Sequence, residues 1–375
     1  MTSTAPRLDE ATVGSHVLGW DSVEFYVGNA RASAGFLMSA LGFSCIGRAG
    51  PETGVRDRMS YLLSSGRVRI VVTGFLTPDS EIGLHVLEHG DGVHELAWLV
   101  DDATATFETA VARGATPRRA PWGEHDDAGT IVRASVAGYG DTLHTFVERA
   151  RYATDRFAPG FEPGPLLSTP CGAPTGLEAI DHVVGNVPEG ELDEWVSFYE
   201  RVFGFSVLVH YDDAQIATEF SALRSTVVWD GRSVVMPLNE PARGRKKSQI
   251  AEYLESYRGP GVQHIALGTN DIVATVGAMR ERGIRFMEIP PAYYDEAKRR
   301  LEGAELDWPA IEEQRILVDR GTGGDLLQIF TEPIADRPTF FFEIIERRGA
   351  TGFGEGNFKA LFEAIEHEQE RRGNL

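Results

Sequence analysis

The sequence predicts an α+β fold of two homologous domains, each made of paired βαβββ modules whose sheets form open, barrel-like walls around a cavity. Three observations carry that expectation. The 375-residue chain repeats its own plan, which takes precedence over any local reading. Strand-like runs with apolar–polar alternation are separated by short helical stretches. A segment rich in proline and glycine divides the two copies.

In chain order, Asp21–Asn29 reads as a strand, residues 30–41 as a helix, and Gly42-Phe43 as its exit. Asp181–Val187, a helix over 190–203 and Gly204-Phe205 repeat this at an offset of 160 residues. GDGVHELAWLVDDATATFETAVARGA (90–115) matches GPGVQHIALGTNDIVATVGAMRERGI (259–284) at an offset of 169. Phe146-Val147-Glu148-Arg149 matches Ile344-Ile345-Glu346-Arg347 at an offset of 198. The growing offsets place insertions in the second copy, around SQIAEYLESY (248–257) and PPAYYDEAKRRLEGAELDWP (290–309). The expected organisation is a disordered arm (1–16), a first domain without a metal site (17–150), a linker (151–177) holding Pro159, Pro163, Pro165, Pro170 and Pro174, a catalytic domain (178–349), and a C-terminal helix (350–375).

Composition narrows the setting. Formal net charge is −20, which argues against nucleic acid or an anionic membrane as partner. No apolar stretch is long enough to span a bilayer, and the polar N-terminus lacks a secretory layout. Two cysteines, Cys45 and Cys171, with no CxxC pair, point to a reducing, cytoplasmic location and exclude a thiolate cluster.

The stretch TFFFEIIERRGATGFGEGNFKALF (339–362) sets the chemical question. Glu343 interrupts a strand of Phe340, Phe341, Phe342, Ile344 and Ile345, and burying an unpaired carboxylate is strongly unfavourable. A metal ion or an arginine would compensate it. The duplication supplies a comparison, because His182, His264 and Glu343 match Ser22, Glu95 and Thr145 in the first copy. Two imidazoles and one carboxylate on strands facing a common cavity suit non-haem Fe(II), leaving positions open for substrate and oxygen. Hydrogen-bonded core histidines are the competing reading, since the separations of 82 and 79 residues form no local signature.

Longer motifs carry a resemblance. AIDHVVGNV (179–187), LNEPARGRKKSQI (238–250), GPGVQHIALGTNDI (259–272), GGDLLQIFTEP (323–333) and RPTFFFEIIERRGATGFGEGNFKALFEAIE (337–366) make the chain similar to the 4-hydroxyphenylpyruvate dioxygenases of the vicinal-oxygen-chelate superfamily. The resemblance covers nearly the whole chain. It implies that His182, His264 and Glu343 hold one Fe(II) per subunit, and that 4-hydroxyphenylpyruvate and O2 become homogentisate and CO2 in tyrosine and phenylalanine catabolism. It also implies a homodimer or homotetramer, with the first domain as a structural and assembly partner.

By the same resemblance, Phe330 and Phe358 form an aromatic clamp on the substrate, Phe341 and Phe353 line the remaining wall, and Asn357 joins the substrate site. Ser225, Asn239, Gln249, Gln263 and Gln328 supply polar anchors. Phe340, Phe342 and Phe362 are expected in the core. Gln263 adjoins His264, so both can face the cavity only if the strand bulges. From Asn357 onward, Phe358, Leu361, Phe362 and Ile365 fall at helical spacing, with Glu363, Glu366, Glu368, Glu370, Arg371 and Arg372 outward. With glycines 352, 354 and 356 before it as a hinge, this helix reads as a lid that excludes water.

Three alternatives stand beside this reading. A 4-hydroxymandelate synthase shares substrate and metal, but an aliphatic residue is expected there at position 358. An extradiol ring-cleaving dioxygenase should lack the LNEPA and GFGxGNF elements. A non-catalytic binding member of the superfamily would need no metal.

Overall fold

In a computed structural model, residues 12–164, 173–212, 222–242 and 244–373 are described, with the side chains of 355, 358 and 359 left aside. The first half runs β1 (Val17–Val27), α2 (Ala30–Leu41), β2 (Ser44–Ala49), β3 (Arg58–Ser65) and β4 (Val68–Phe75). After α3 (Glu81–His89) its second module follows: β5 (Gly92–Val100), α4 (Ala103–Ala112), β6 (Pro117–Asp126), β7 (Gly129–Ala137) and β8 (Leu143–Tyr152). A two-residue strand, β9 (Glu162–Pro163), ends this half. The nine strands form one sheet in the order β6-β7-β8-β5-β1-β4-β3-β2-β9.

The second half repeats the plan with β10 (Leu177–Asn186), α5 (Leu192–Phe198) continued by a wider π-type turn (Tyr199–Phe203), β11 (Ser206–Tyr211), β12 (Ala222–Trp229) and β13 (Val235–Ala242). The inserted α6 (Gln249–Tyr257) leads to β14 (Gly261–Thr269) and α7 (Ile272–Glu281). In this half the late insertion adds α8 (Ala292–Arg300) and α9 (Trp308–Glu313) between α7 and the strand that corresponds to β6. β15 (Leu317–Gly321), β16 (Gly324–Phe330), β17 (Phe341–Arg348) and α10 (Glu355–Arg371) complete it. Its sheet order is β11-β12-β13-β10-β14-β17-β16-β15. In each module the last strand pairs in parallel with the first: β1 with β4, β5 with β8, β10 with β13, β14 with β17. Four βαβββ modules and two curled sheets follow from that pairing.

Residues common to both copies hold equivalent joints. Asp102 caps α4 by accepting from the Ala105 N–H (2.8 Å), and Asp271 caps α7 through Ala274 (3.0 Å). Glu148 accepts from the Ala103 N–H (3.3 Å) at the start of α4, as Glu346 does from Ile272 (2.9 Å) at the start of α7. Each side-chain cap of this kind is worth about 1 kcal/mol. Arg149 pairs with Asp21, and Arg347 with Asp181, by the same geometry.

One apolar core runs through both halves. Trp98 meets Phe203 edge-on at 5.0 Å, Phe25 meets Phe340 at 4.9 Å, and Tyr199 bonds His144 through its hydroxyl at 2.8 Å. Residues 12–16, expected in a disordered arm, are ordered instead. Residues 1–11 lie outside the described set, but a helical turn, α1 (Val13–His16), is capped by Thr12. Its Val13 is fully buried against the core. The linker prolines 165 and 170, and Cys171, also lie outside the described residues.

The seam leaves no room for side chains at certain glycines. A Cβ on Gly185 would sit 2.5 Å from the Tyr139 ring, itself fully buried. Gly185→Ala is therefore expected to destabilise the fold by about 1–3 kcal/mol through overpacking. A urea melt reads this as a lower midpoint, and an unchanged midpoint would contradict tight packing at the seam.

Candidate metal centre and substrate cavity

The centre is assembled across three neighbouring strands. His182 on β10 lies opposite Ala266 on β14, and Ala266 lies beside Glu343 on β17. The alanine between them leaves space for two longer side chains to meet above it. Glu343 Oε2 lies 3.2 Å from His182 Nε2 and 3.5 Å from His264 Nε2. The three potential ligand atoms fall within 4.8 Å of one another, and all three residues are buried. Alternation along β17 aims Phe341, Glu343 and Ile345 into the cavity, while Phe340, Phe342 and Ile344 enter the core.

Two β-bulges bring further polar groups to this face. The β10–β14 register steps from Ile180↔Leu267 to His182↔Ala266, so Asp181 is the extra residue of one bulge. It steps again from Val184↔His264 to Gly185↔Val262, which makes Gln263 the extra residue of the other. The tension between neighbouring Gln263 and His264 is resolved: both line the cavity. The Gln263 amide donates to Gln249 Oε1 (3.4 Å), and its Oε1 lies 3.2 Å from His264 Nδ1. Asp181 Oδ1 lies 2.8 Å from His182 Nδ1. With Nδ1–H of each imidazole directed to an oxygen, each Nε2 faces Glu343, the tautomer a metal requires.

An arginine is present, but it compensates a different acid. Arg347 donates to both oxygens of Asp181, at 2.7 and 2.8 Å, and to the Gly352 carbonyl at 2.6 Å. Burial raises the Asp181 pKa, yet Arg347 and His182 more than reverse this and hold it well below the usual carboxylate range. Burial opposes charge on His182, but the Glu343 and Asp181 carboxylates raise its pKa to about 9. Glu343 is likewise held ionised against burial by the two imidazoles, and His264 is pushed down by burial.

The cavity runs from the triad to α10. Ser225 and Asn239 are direct cross-strand partners on β12 and β13, so both face it. Gln249 reaches it from the first turn of α6, capped by Ser248, and Gln328 from β16. Phe341 stacks on His264 at 4.8 Å, Phe330 meets His264 edge-on at 5.9 Å, and Phe353 meets His182 at 5.4 Å. Gly354 closes the turn against Gln328. Its φ of +76° favours glycine, and a Cβ there would lie 3.1 Å from the Gln328 amide.

Some expected residues sit elsewhere. Asn357 is not a cavity wall; it is fully buried and accepts from the Tyr293 hydroxyl (2.6 Å), tying α10 to α8. Phe362, expected in the core, packs with Tyr211, Leu223 and Ile250 and also lines the cavity beside Leu361 and Ile365. Glu366 and Glu368, expected outward, are buried because α10 has neighbours along more than one face; Arg371 donates to Glu368 (2.6 Å). The side chain of Phe358 lies outside the described set. Sequence reasoning did not single out Asp181 and Arg347, although their counterparts Asp21 and Arg149 occupy matched positions and signalled a shared joint. Tyr211, Leu223 and Val227 were also missed; the alternation of Leu223, Ser225 and Val227 along β12 was the available signal.

Paired βαβββ modules with two histidines and a glutamate at the mouth of one sheet define the class of metal-dependent glyoxalase and dioxygenase proteins. A family model described as "Glyoxalase/Bleomycin resistance protein/Dioxygenase superfamily" matches residues 179–302. 4-Hydroxyphenylpyruvate dioxygenase from Yarrowia lipolytica is 43% identical over 95% of this chain and 93% of its own length. The same enzyme from Danio rerio is 43% identical over 100% of this chain and 96% of its own. A triple mutant of 4-hydroxymandelate synthase from Streptomyces coelicolor superposes with a TM-score of 0.84 at 35% identity, covering 94% of this chain and 99% of that one. The chain belongs to the 4-hydroxyphenylpyruvate dioxygenase family.

The Asp181–Arg347 pair orients His182 without touching the cavity. Asp181→Asn is expected to weaken metal binding about 10–100-fold, as loss of a ligand's hydrogen-bond partner does. Fe(II) or Co(II) titration of the stripped protein reads this, and wild-type affinity would remove Asp181 from that role.

Proposed function

We propose that the chain is an Fe(II)-dependent dioxygenase that converts 4-hydroxyphenylpyruvate and O2 to homogentisate and CO2, with one iron per subunit held by His182, His264 and Glu343. The observation that carries this reading is the buried triad opening onto a cavity walled by phenylalanines and amides, in a chain over 40% identical along its length to enzymes of that name. The donor set fits the metal: two imidazoles, with His182 giving up its proton as the metal binds, and a carboxylate on one side would leave the other side to ligands from the cavity. Fe(II), when bound, polarises the α-keto acid and links its oxidative decarboxylation to the reduction of O2.

The chain's own residues do the rest. Phe330, Phe341 and Phe353 confine the aromatic ring near the triad; ring contacts of this type add about 0.5–1.5 kcal/mol beyond area burial. Ser225, Asn239, Gln249, Gln263 and Gln328 present hydroxyl and amide groups that can donate to a carboxylate or exchange hydrogen bonds with a phenol. Held on strands and on a capped helix, they fix the ring carbon that receives oxygen and next to which the side chain migrates. Leu361, Phe362 and Ile365 of α10 keep the cavity dry.

In this reading α10 is a lid. Its N-terminal end is latched by Asp319 Oδ2 accepting from the Gly356 N–H (2.9 Å), and its C-terminal end by Arg372 on Glu252 (2.8 Å). Enclosure of the site by such an element excludes water during reaction. The first half serves as a structural partner, the assembly is a homodimer or homotetramer, and the setting is cytoplasmic tyrosine and phenylalanine catabolism.

The second reading, 4-hydroxymandelate synthase, is favoured by the structural superposition on that enzyme. Anaerobic loading with Fe(II), followed by the keto acid and O2, separates the two. Homogentisate is expected; 4-hydroxymandelate would overturn the assignment. His182→Ala and Glu343→Ala should each abolish turnover, and undiminished activity in either would sink the ligand set. Deleting residues 357–375 should abolish turnover while iron stays bound, whereas retained turnover would reject the lid.

A further inference from the structure

We propose that His85, His89 and Asp141 form a second divalent-cation site, of the zinc type, in the first half of the molecule where it meets α6. His85 and His89 are four residues apart on α3, so their rings share one face of the helix. Asp141 approaches from the turn between β7 and β8, and one potential ligand atom from each residue falls within 4.8 Å of the others.

The hydrogen bonding calls for a cation. His89 Nδ1 lies 2.6 Å from the Tyr257 carbonyl, to which only an N–H can bond, so in neutral His89 the lone pair is on Nε2. That lone pair faces Asp141 Oδ2 at 3.0 Å. Two acceptors cannot bond each other; a proton or a metal ion between them reconciles the contact. The third residue favours the metal. His85 is only 4% exposed, yet neither of its ring nitrogens has a hydrogen-bond partner among the described residues. An orphaned buried imidazole costs stability, and a ligand role would satisfy the nitrogen that carries its lone pair.

The remaining features fit a structural cation. Imidazole and carboxylate donors suit Zn(II), with water in the fourth position, and Zn–N bonds of about 2.0–2.1 Å would draw the three ligand atoms in from the 4.8 Å within which they lie. Access exists, because Asp141 is 57% exposed and the open cavity of the first sheet reaches His85, His94 and Asp141. The Tyr257 ring stacks on His89 at 4.4 Å, and the Tyr257 carbonyl fixes the His89 tautomer. A metal here would bind α3 to the β7–β8 turn and brace both against α6, the helix that brings Gln249 to the other cavity.

The test uses the full-length, metal-stripped protein and Zn(II) alone. His264→Ala disables the triad, so the zinc it still takes up reports the second site independently of the proposed reaction. One equivalent per chain and a raised thermal midpoint are expected for His264→Ala. On that background His85→Gln should abolish uptake, and Asp141→Asn, at a side chain 57% exposed, should weaken it about 10-fold or more. If His264→Ala takes up no zinc, or if Asp141→Asn leaves its uptake unchanged, the proposal is overturned.

Discussion

A carboxylate buried in an apolar strand is the constraint around which the second half is built. Glu343 is 3% exposed, and such a charge is tolerated only when paired. Two imidazoles meet one of its oxygens, and the geometry that allows this has several parts. Ala266 clears the space between His182 and Glu343. One bulge turns Asp181 toward His182, and another puts Gln263 beside His264. Arg347 then neutralises Asp181 and holds the Gly352 carbonyl, so the charge network leads directly into the turn before α10.

The first half shows the same frame without that solution. Asp21 and Arg149 repeat the Asp181–Arg347 pair, Glu148 repeats Glu346, and both bulges recur at Asp21 and His94. At the position of His264 stands Glu95, opposite Glu24 on β1. Burial and the neighbouring Glu24 raise the Glu95 pKa to about 7. Where the second half relieves a buried acid with imidazoles, the first raises the affinity of its acid for a proton. Duplication therefore preserved the joints that hold sheet to helix and let the cavity-facing positions diverge.

The α10 helix illustrates how a tail becomes part of a site. Its apolar stripe supplies cavity wall, yet acids at 366 and 368 that helical spacing assigns to solvent are buried. The helix lies against neighbours on more than one side, with Arg372 reaching Glu252 on α6 and Asn357 reaching Tyr293 on α8. Asn357 belongs to that docking.

The duplication, the module plan and the three triad residues were legible in the chain alone. Each depends on residue type at matched positions or on strand and helix periodicity, and these are local properties. The mismatch of His182, His264 and Glu343 with Ser22, Glu95 and Thr145 identified the triad because chemistry is written in residue identity. What needed the tertiary structure was direction. A strict alternation puts Asp181 and Gln263 on the face opposite their histidines, and the register shifts between β10 and β14 reverse this. Bulges depend on pairing with a second strand, so no single-strand pattern contains them. The destination of Arg347, the placement of Asn357 and the burial of Glu366 were likewise decided by contacts between segments far apart in sequence, where only packing chooses the partner.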